Sequence, residues 1–248
     1  MPLAVLFRDS QVVVVDKPAG LAVDEDVAPL VAREIAPPGG RSWPRIVHRL
    51  DRGTSGCLLF ALRKESEQAL KRALDEGTVE KGYLALVQGS PPDEARLDTP
   101  YGPDPADRRR HTTRIETPRR ARLAYEVVER FRDAALLRIE LDTGRTHQIR
   151  VQLSESGFPV VGDDVYNPAT AVNRPGDTMG AARRDHVPDA VSRLMLHAGR
   201  LVFPHPRTGA RIECTAPTSR EFEECLARYQ HREPAAEAGS ARGSPKGT

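Results

Sequence analysis

The chain has 248 residues, of which 29% are charged and 39% hydrophobic, and its formal net charge is +2. This length supports one sizeable core, and the small net charge argues only weakly for an anionic partner. No stretch reaches the ~20 apolar residues of a membrane span, no signal-peptide pattern opens the chain, and the three cysteines are widely spaced, so we expect a cytoplasmic protein without a disulfide framework.

The N-terminal segment predicts a buried strand followed by a tight turn. Val12–Val15 is an apolar run, and Pro18 and Gly20 end it because proline lacks an N–H for the ladder and glycine permits a positive φ. This places Lys17 at the end of the strand. The sequence PPGG at 37–40 then predicts a flexible break.

The middle of the chain predicts both helices and strands. Apolar residues at helical spacing favour a helix over Glu65–Glu76, closed by Gly77, and a shorter one over Thr146–Glu155, closed by Gly157. Strands are predicted at Cys57–Ala61, Tyr83–Val87, Leu123–Val128, Ala135–Leu141, Leu201–Phe203 and Ile212–Thr215. Because strands outnumber helices and their spacing is too irregular for repeated βαβ units, we predict an α+β fold with a mainly antiparallel mixed sheet and flanking helices.

Two segments are predicted to lie outside this sheet. Residues 168–190 lack apolar periodicity, which predicts a long surface loop. Residues 231–248 are rich in Ala, Gly, Ser and Pro, which is typical of a disordered tail. We therefore expect one ordered domain over residues 1–230.

The segment His48–Ala61, HRLDRGTSGCLLFA, carries the first candidate functional residue. Asp51 lies between Arg49 and Arg52 on a loop that ends in a Thr-Ser-Gly turn and leads into a buried strand. Loops held by a rigid sheet commonly carry chemistry, and an acid kept ionised among cations can be a nucleophile or a base. A surface ion pair explains the same residues equally well.

Arginines are concentrated between Arg108 and Arg122, where seven occur with one glutamate. Such a run is either a solvated hairpin or an arm that contacts phosphates, because the planar guanidinium suits phosphate oxygens. Arg145 and Arg150, in Leu141–Val151, flank a glycine turn and a predicted helix start, where backbone N–H groups could also hold an anion. Both segments favour an anionic ligand, although each arginine alone could be an ordinary surface charge.

Five segments, taken in order, resemble the motif series of the RluA-type pseudouridine synthases. They read KPAGLAV, HRLDRGTSGCLLFA, KGYLALVQG, DTGRTHQIRVQLSESGFPVVGDDVY and LMLHAGRL, and the resemblance extends over Leu6–Pro217. It implies a pseudouridine synthase catalytic fold with a central RNA-binding cleft, which isomerises uridine in RNA without a cofactor. No metal is expected either, because the histidines and cysteines lack metal-ligand spacing.

The resemblance assigns roles to five residues. Asp51 matches the aspartate that attacks the target uridine, Arg150 the arginine that pairs with it, and Tyr83 the tyrosine that packs on the base and has been assigned a base role. Arg49 matches the arginine that fills the stack when the target base leaves, and Leu196 would line the uracil pocket. Taken alone, Tyr83 would be an ordinary buried tyrosine. Asp51 could attack C1′, abstract the 2′ proton or add to C6, and the sequence leaves these routes open.

Further RNA contacts are expected from the remaining motifs and the arginine-rich segment. They are Arg52, Arg109, Arg110, Arg119, Arg120, Arg145 and His147. The expected partner is ribosomal or transfer RNA, and the expected state is a monomer without an obligate protein partner. A non-catalytic RNA-binding, RNA-folding or assembly factor on the same fold is the alternative, whereas a hydrolase would lack a second catalytic carboxylate in any matching motif.

The sequence departs from the family pattern in two places. The resemblance starts almost at the first residue, so we expect a catalytic domain without an N-terminal S4 RNA-binding domain. A Gly-Lys-x-Ala-x-Thr pattern, common in relatives before the strand near Tyr125, is replaced here by PRRARL at 118–123. We therefore expect the catalytic domain itself to select the RNA.

Overall fold

The described part of the chain contains twelve strands and four α-helices. The computed structural model describes residues 3–35, 43–167 and 193–230. In chain order the elements are β1 (Ala4–Arg8), β2 (Val12–Lys17), α1 (Ala28–Ile35), β3 (Arg45–Ile46), β4 (Ser55–Ala61), α2 (Lys64–Asp75), β5 (Glu80–Gln88), β6 (Glu94–Pro100), β7 (Gly102–Pro103), β8 (His111–Thr112), β9 (Arg120–Arg130), β10 (Ala134–Leu141), α3 (Gln148–Glu155), β11 (Leu196–Pro204), β12 (Arg211–Thr215) and α4 (Arg220–Gln230). A π-helical turn, Val23–Val27, leads directly into α1. The break predicted at 37–40, the loop predicted at 168–190 and the tail predicted at 231–248 lie outside the described residues.

Ten of these strands form one sheet, whose main path runs β1-β2-β4-β11-β5-β10-β9-β6. β3 adds to β4 and β12 adds to β11, while β7 and β8 form a separate hairpin. Among the described strands, β4 and β11 are the parallel pair, and the other pairings are antiparallel. The predicted α+β fold with a mainly antiparallel mixed sheet is therefore confirmed.

Strands β2 and β4 are buried on both faces over two runs of consecutive apolar residues. Val12–Val15 of β2 and Cys57–Ala61 of β4 are at most 1% exposed. Alternate residues of a strand point to opposite faces, and here they join two separate cores, one completed by α2 and the other by α1, α3 and α4. Burying an aliphatic side chain of this size stabilises the fold by about 1.5–3 kcal/mol. The sheet centre is thus a rigid base for the loops that leave it.

The predicted strands and helices are confirmed, with ends shifted by a few residues, and two of these shifts lie near the candidate site. Ser55 and Gly56, expected in a turn, already belong to β4, where Gly56 adopts φ 112° and pairs with Ala198 of β11. A Cβ on Gly56 would lie 2.2 Å from the carbonyl oxygen of Ala198, so only glycine permits this approach. Tyr83 lies inside β5 rather than at its start, since the strand begins at Glu80.

The sequence analysis did not predict β1, α1, β6 or α4, and it did not predict the two-residue strands β3, β7 and β8. β1 and β6 are edge strands whose side chains are partly exposed, so their apolar signal is weak. α4 does carry a readable signal, because four buried residues recur at helical spacing. They are Phe222, Cys225, Leu226 and Tyr229.

Candidate active site

Asp51 lies on a loop between β3 and β4 that a buried lysine ties to the turn after β2. The ammonium of Lys17 donates hydrogen bonds to the carbonyls of Pro18, Leu21 and Arg52, at 2.9, 2.8 and 3.1 Å. The Lys17 side chain is completely buried, and burial lowers the pKa of Lys17 to about 8. The residue that follows Asp51 is therefore anchored through its carbonyl to a buried donor.

Arg150 connects Asp51 to a second, fully buried carboxylate. Nη1 of Arg150, on α3, donates to Oδ2 of Asp51 at 3.0 Å, although the two residues are 99 positions apart. Nε and Nη2 donate to the two oxygens of Asp163 at 2.8 and 2.9 Å, and this fork fixes the guanidinium. Burial is the largest single influence and raises the pKa of Asp163. The hydrogen bonds and charge of Arg150 and the backbone N–H groups of Tyr166 and Val165 together outweigh it, so this pKa lies below its ordinary value. Asp163 thereby keeps Arg150 aimed at Asp51.

His147 faces the other carboxylate oxygen of Asp51. Its Nε2 lies 3.8 Å from Oδ1 of Asp51, and its Nδ1 lies 3.0 Å from the hydroxyl of Tyr166. His147 precedes α3 in the left-handed conformation, with φ 56°, which no other described non-glycine residue shares. Burial lowers the pKa of His147, so the imidazole is neutral at neutral pH. Asp51 is thus flanked by a guanidinium on one oxygen and an imidazole on the other.

A cleft of about 820 Å³ opens at Asp51. This volume lies within the range of small-molecule sites. Tyr83 of β5 and Leu196 of β11 line the cleft and are at most 8% exposed. Burial, followed by the charge of Asp51, raises the pKa of Tyr83 well above its ordinary value, so the phenol stays neutral. The cleft therefore offers an apolar surface next to a carboxylate.

Arg49 and Arg52 turn away from Asp51 and pair with an acidic segment. Nη2 of Arg49 lies 2.5 Å from Oδ2 of Asp24, and Arg52 contacts the next two carboxylates at 3.3 and 3.6 Å. Within the described residues, neither arginine forms an ion pair with Asp51. A surface ion pair between Asp51 and its neighbouring arginines, one of the two interpretations left open by the sequence, is thus wrong, because the acids at 24–26 pair with both arginines. Arg49 still lines the rim of the cleft, whereas Arg52 does not.

Most of the arginine-rich segment lies beside the cleft, and its last residue, Arg122, lines the cleft. Arg109 is 87% exposed, and both Arg109 and Arg120 pair with nearby aspartates. The guanidinium carbon of Arg110 lies 5.0 Å from the ring centre of Tyr166, and Arg119 is exposed. Four of the RNA contacts predicted from the sequence line the cleft: Arg49, Arg145, His147 and Leu196. The other five lie outside it: Arg52, Arg109, Arg110, Arg119 and Arg120.

Two residues of the site were not singled out from the sequence. Asp163 and Tyr166 both belong to the run GDDVY at the end of the fourth matching segment, and that run was the available signal. Arg122 lines the cleft together with Lys81 and Arg145. Burial lowers the pKa of Lys81. The cleft thus combines a cationic wall with the carboxylate of Asp51.

The described ranges contain neither a metal-type cluster nor a helix long and apolar enough to cross a membrane. No three side chains of His, Cys, Asp or Glu converge there as metal ligands do. The three cysteines are buried free thiols.

Several known proteins are similar to this chain. A family model described as RNA pseudouridylate synthase matches residues 11–155. A protein of Chloroflexus aurantiacus named as an uncharacterized RNA pseudouridine synthase is 41% identical over 194 residues, which cover 78% of this chain and 56% of that protein. A ribosomal large subunit pseudouridine synthase D of Nitrosomonas europaea is 36% identical over 245 residues, which cover 88% of this chain and 62% of that protein. The chain spans about three fifths of the length of these two curated relatives.

A solved structure shares the fold. The protein titled Human RNA Pseudouridylate Synthase Domain Containing 1 superposes with a TM-score of 0.70 at 23% sequence identity, over 94% of this chain and 97% of that one. At this identity the likeness establishes the common fold alone.

Proposed function

The chain belongs to the RNA pseudouridylate synthase family, and from this premise we propose that it isomerises a uridine of RNA to pseudouridine with Asp51 as its catalytic carboxylate. The observation that carries the proposal is the pair of Asp51 and Arg150 within a cleft that Tyr83 and Leu196 line. The reaction breaks the bond between C1′ and N1, turns the uracil and joins C5 to C1′, so it consumes no oxidant or reductant. Attack on C1′, abstraction of the 2′ proton and addition to C6 each require a carboxylate at this place.

The two oxygens of Asp51 have different surroundings, which suits a reacting carboxylate. Oδ2 accepts the hydrogen bond from Arg150, whereas Oδ1 faces His147 across 3.8 Å. The side chain is 21% exposed, so a ligand in the cleft can reach it while most of it is shielded from bulk water. We propose that Oδ1 is the oxygen that reacts.

Tyr83 and Leu196 support a flat apolar ligand next to this carboxylate. Their side chains come from β5 and β11, which pair directly in the sheet. Aromatic rings bind flat groups by stacking or edge contacts. Because burial raises the pKa of Tyr83, its phenol is a poor source of phenolate. We therefore propose that Tyr83 packs on the uracil rather than serving as the base.

Arg49 is the proposed side chain that fills the space left by the extruded nucleotide. A uridine within a stacked RNA must unstack to reach Asp51, which costs a few kcal/mol. Arg49 is 67% exposed at the rim, and its ion pair with Asp24 is solvent-accessible on both sides. Exposed pairs contribute about 0–1 kcal/mol, so RNA can displace Asp24. A guanidinium then stacks on the neighbouring bases.

The proposed substrate is structured RNA, ribosomal or transfer RNA. Large-subunit ribosomal RNA comes first, since several relatives are named for it. Contacts to phosphates, which position RNA without reading its sequence, are proposed for Arg52, Arg109, Arg110, Arg119, Arg120 and Arg145. We further propose that the protein acts as a monomer without an obligate protein partner. We place this activity in the cytoplasm.

Replacement of Asp51 by asparagine tests the assignment, because it keeps the size and removes the charge. Wild-type and variant proteins are incubated with ribosomal and transfer RNA from cells that lack this gene. Pseudouridines are then mapped by carbodiimide modification and reverse-transcription stops. We expect new pseudouridine with the wild-type protein and none with Asp51→Asn. The matched control is Asp93→Asn, which removes a carboxylate that is 90% exposed and lies outside the cleft, and it should retain wild-type turnover.

Two results would contradict this proposal. Turnover of Asp51→Asn close to that of the wild type would remove Asp51 from the chemistry. A wild-type protein that binds RNA and forms no pseudouridine in any RNA class would favour the non-catalytic RNA-folding factor.

A further inference from the structure

His147 and Tyr166 form a hydrogen-bonded pair that reaches from Asp51 to the β7–β8 hairpin. Nε2 of His147 lies 3.8 Å from Oδ1 of Asp51. Nδ1 of the same ring lies 3.0 Å from the Tyr166 hydroxyl, which also accepts the backbone N–H of His111 at 3.1 Å. A continuous line of polar contacts therefore runs from β8 to the carboxylate.

The neighbours of the ring favour one tautomer of neutral His147. A neutral imidazole carries one N–H and one acceptor nitrogen, and its hydrogen bonds decide which is which. The Tyr166 hydroxyl already accepts from His111, so its hydrogen is available to Nδ1. The carboxylate of Asp51 only accepts, so it attracts an N–H at Nε2 and repels a lone pair there. Both ends place the hydrogen on Nε2, facing Asp51.

The backbone of His147 is unusual at the same place. Its φ of 56° is a left-handed conformation that residues other than glycine rarely adopt. Such conformations persist where the surrounding structure determines them, and they are concentrated at functional sites. Here the left-handed residue is the one whose ring lies between Asp51 and Tyr166.

We infer that His147 and Tyr166 are positioning residues that hold Oδ1 of Asp51 for reaction while Arg150 holds Oδ2. The inference rests on the proposed function, because it deepens the role of Asp51 in that reaction. His147, grouped from the sequence with the RNA contacts, thus acts through Asp51. The separation of 3.8 Å is longer than a hydrogen bond, and such contacts commonly tighten in the substrate complex. The Tyr166 ring also contacts the guanidinium groups of Arg110 and Arg150, at 5.0 and 5.2 Å.

The arrangement has a consequence for pH. The groups that face His147 are Asp51, Asp163, Arg150, His111 and Tyr166. Burial lowers the pKa of His147 most, the two carboxylates oppose that effect, and the cationic groups add to it. A hydrogen bond from Tyr166 to Nδ1 exists only for the neutral ring, so it lowers the pKa further. Protonation breaks that bond and pairs a full positive charge with Asp51, which makes the carboxylate less reactive.

Replacement of Tyr166 by phenylalanine isolates the hydroxyl, because the ring that contacts Arg110 and Arg150 is kept. We expect kcat for pseudouridine formation at pH 7.5 to fall about fivefold, the kinetic equivalent of one neutral hydrogen bond, with KM for RNA unchanged. The acidic limb of the kcat profile should move to higher pH, since loss of the bond raises the pKa of His147. The control is Tyr125→Phe, which removes a hydroxyl from another buried tyrosine outside the cleft. It should leave kcat and the acidic limb of its pH profile unchanged.

A double-mutant cycle distinguishes positioning from a general loss of structure. Asparagine tolerates the left-handed conformation, so His147→Asn removes the imidazole with little strain. Once His147 is replaced, Tyr166→Phe should have no further effect on kcat. Additive losses in the double variant, or a kcat of Tyr166→Phe equal to that of the wild type, would refute the inference.

The tautomer has a readout that does not depend on activity. ¹⁵N chemical shifts of the seven histidines report the protonated nitrogen of each ring, and the His147 signal is the one absent from His147→Asn. We expect the Nε2–H form in the wild type. An Nδ1–H form would refute the inference. A wild-type protein with the expected tautomer and no isomerase activity would instead refute the proposed function.

Discussion

Replacing Asp163 by asparagine removes a buried charge while keeping the size of the side chain. Asp163 is 1% exposed, and its Oδ1 accepts hydrogen bonds from Arg150, Val165 and Tyr166. The amide oxygen of asparagine would take this position, which turns the amide NH₂ towards Nε of Arg150 and sets two donors against each other. Breaking a buried ion pair by removing one partner costs about 3–5 kcal/mol. We expect a loss of this size in the free energy of unfolding.

Urea unfolding at pH 7 measures this loss, and the neighbouring residue is its control. Asp164 is 90% exposed, with its carboxylate 3.8 Å from Nη2 of Arg150. Exposed ion pairs contribute about 0–1 kcal/mol, so Asp164→Asn should lower the free energy of unfolding by less than about 0.5 kcal/mol. Turnover of Asp163→Asn should fall as well, because Arg150 is no longer held against Asp51.

The pH dependence of the same measurement adds a second check. The pKa of Asp163 in the folded chain is lower than its ordinary value of 3.8, because Arg150 and the backbone N–H groups of Tyr166 and Val165 together outweigh the effect of burial. Its stabilisation is therefore complete above the ordinary value and is lost as pH falls through the folded one. The difference in free energy of unfolding between the wild type and Asp163→Asn should therefore become smaller at acidic pH. Equal losses of unfolding free energy in Asp163→Asn and Asp164→Asn would refute this reasoning. So would a difference between the wild type and Asp163→Asn that does not change with pH.

Two further predictions concern the sheet and the RNA contacts. Gly56→Ala places a Cβ against a carbonyl of β11 at φ 112°, and we expect it to lower the free energy of unfolding by about 3 kcal/mol. The control is Gly77→Ala, whose Cβ would meet open space and which should lower it by about 1 kcal/mol. Equal losses of the two variants in thermal unfolding would contradict the close approach at Gly56. Arg109→Gln should reduce the slope of log affinity for RNA against log salt by about 0.7–0.9, whereas Arg220→Gln, 91% exposed on α4, should not change it. An unchanged slope for Arg109→Gln would exclude a phosphate contact there.

The predictability of each feature depends on whether its cause is local. Val12–Val15 and Cys57–Ala61 are apolar at every position, so their burial is visible in the residues themselves. β6 is an edge strand of mixed polarity, and only its pairing with β9 makes it a strand. The engagement of Arg49 by Asp24 was not predictable, because it depends on how a π-helical turn folds back beside the loop.

The site was predictable mainly through resemblance rather than through periodicity. No local signal joins Asp51 to Arg150 across 99 positions, and the order of the matching segments supplied that link. Asp163 and Tyr166 lie in the fourth matching segment. The spacing of residues in that segment does not indicate that Asp163 bonds to Arg150 and Tyr166 to His147. Those contacts follow from how the chain after α3 returns to it. The catalytic roles of Asp51, Tyr83 and Arg150 stay predictions until the variants are assayed.

The position of β11 has a consequence for how the protein is made. β1 to β4 form one half of the sheet and β5, β6, β9 and β10 form the other, and β11 enters between β4 and β5. A chain synthesised from its N-terminus completes both halves before the strand that unites them has left the ribosome. Until then the edges of β4 and β5 are open to wrong partners. Asp51 and Tyr83 belong to different halves, so the emerging chain carries both residues long before they line one cleft.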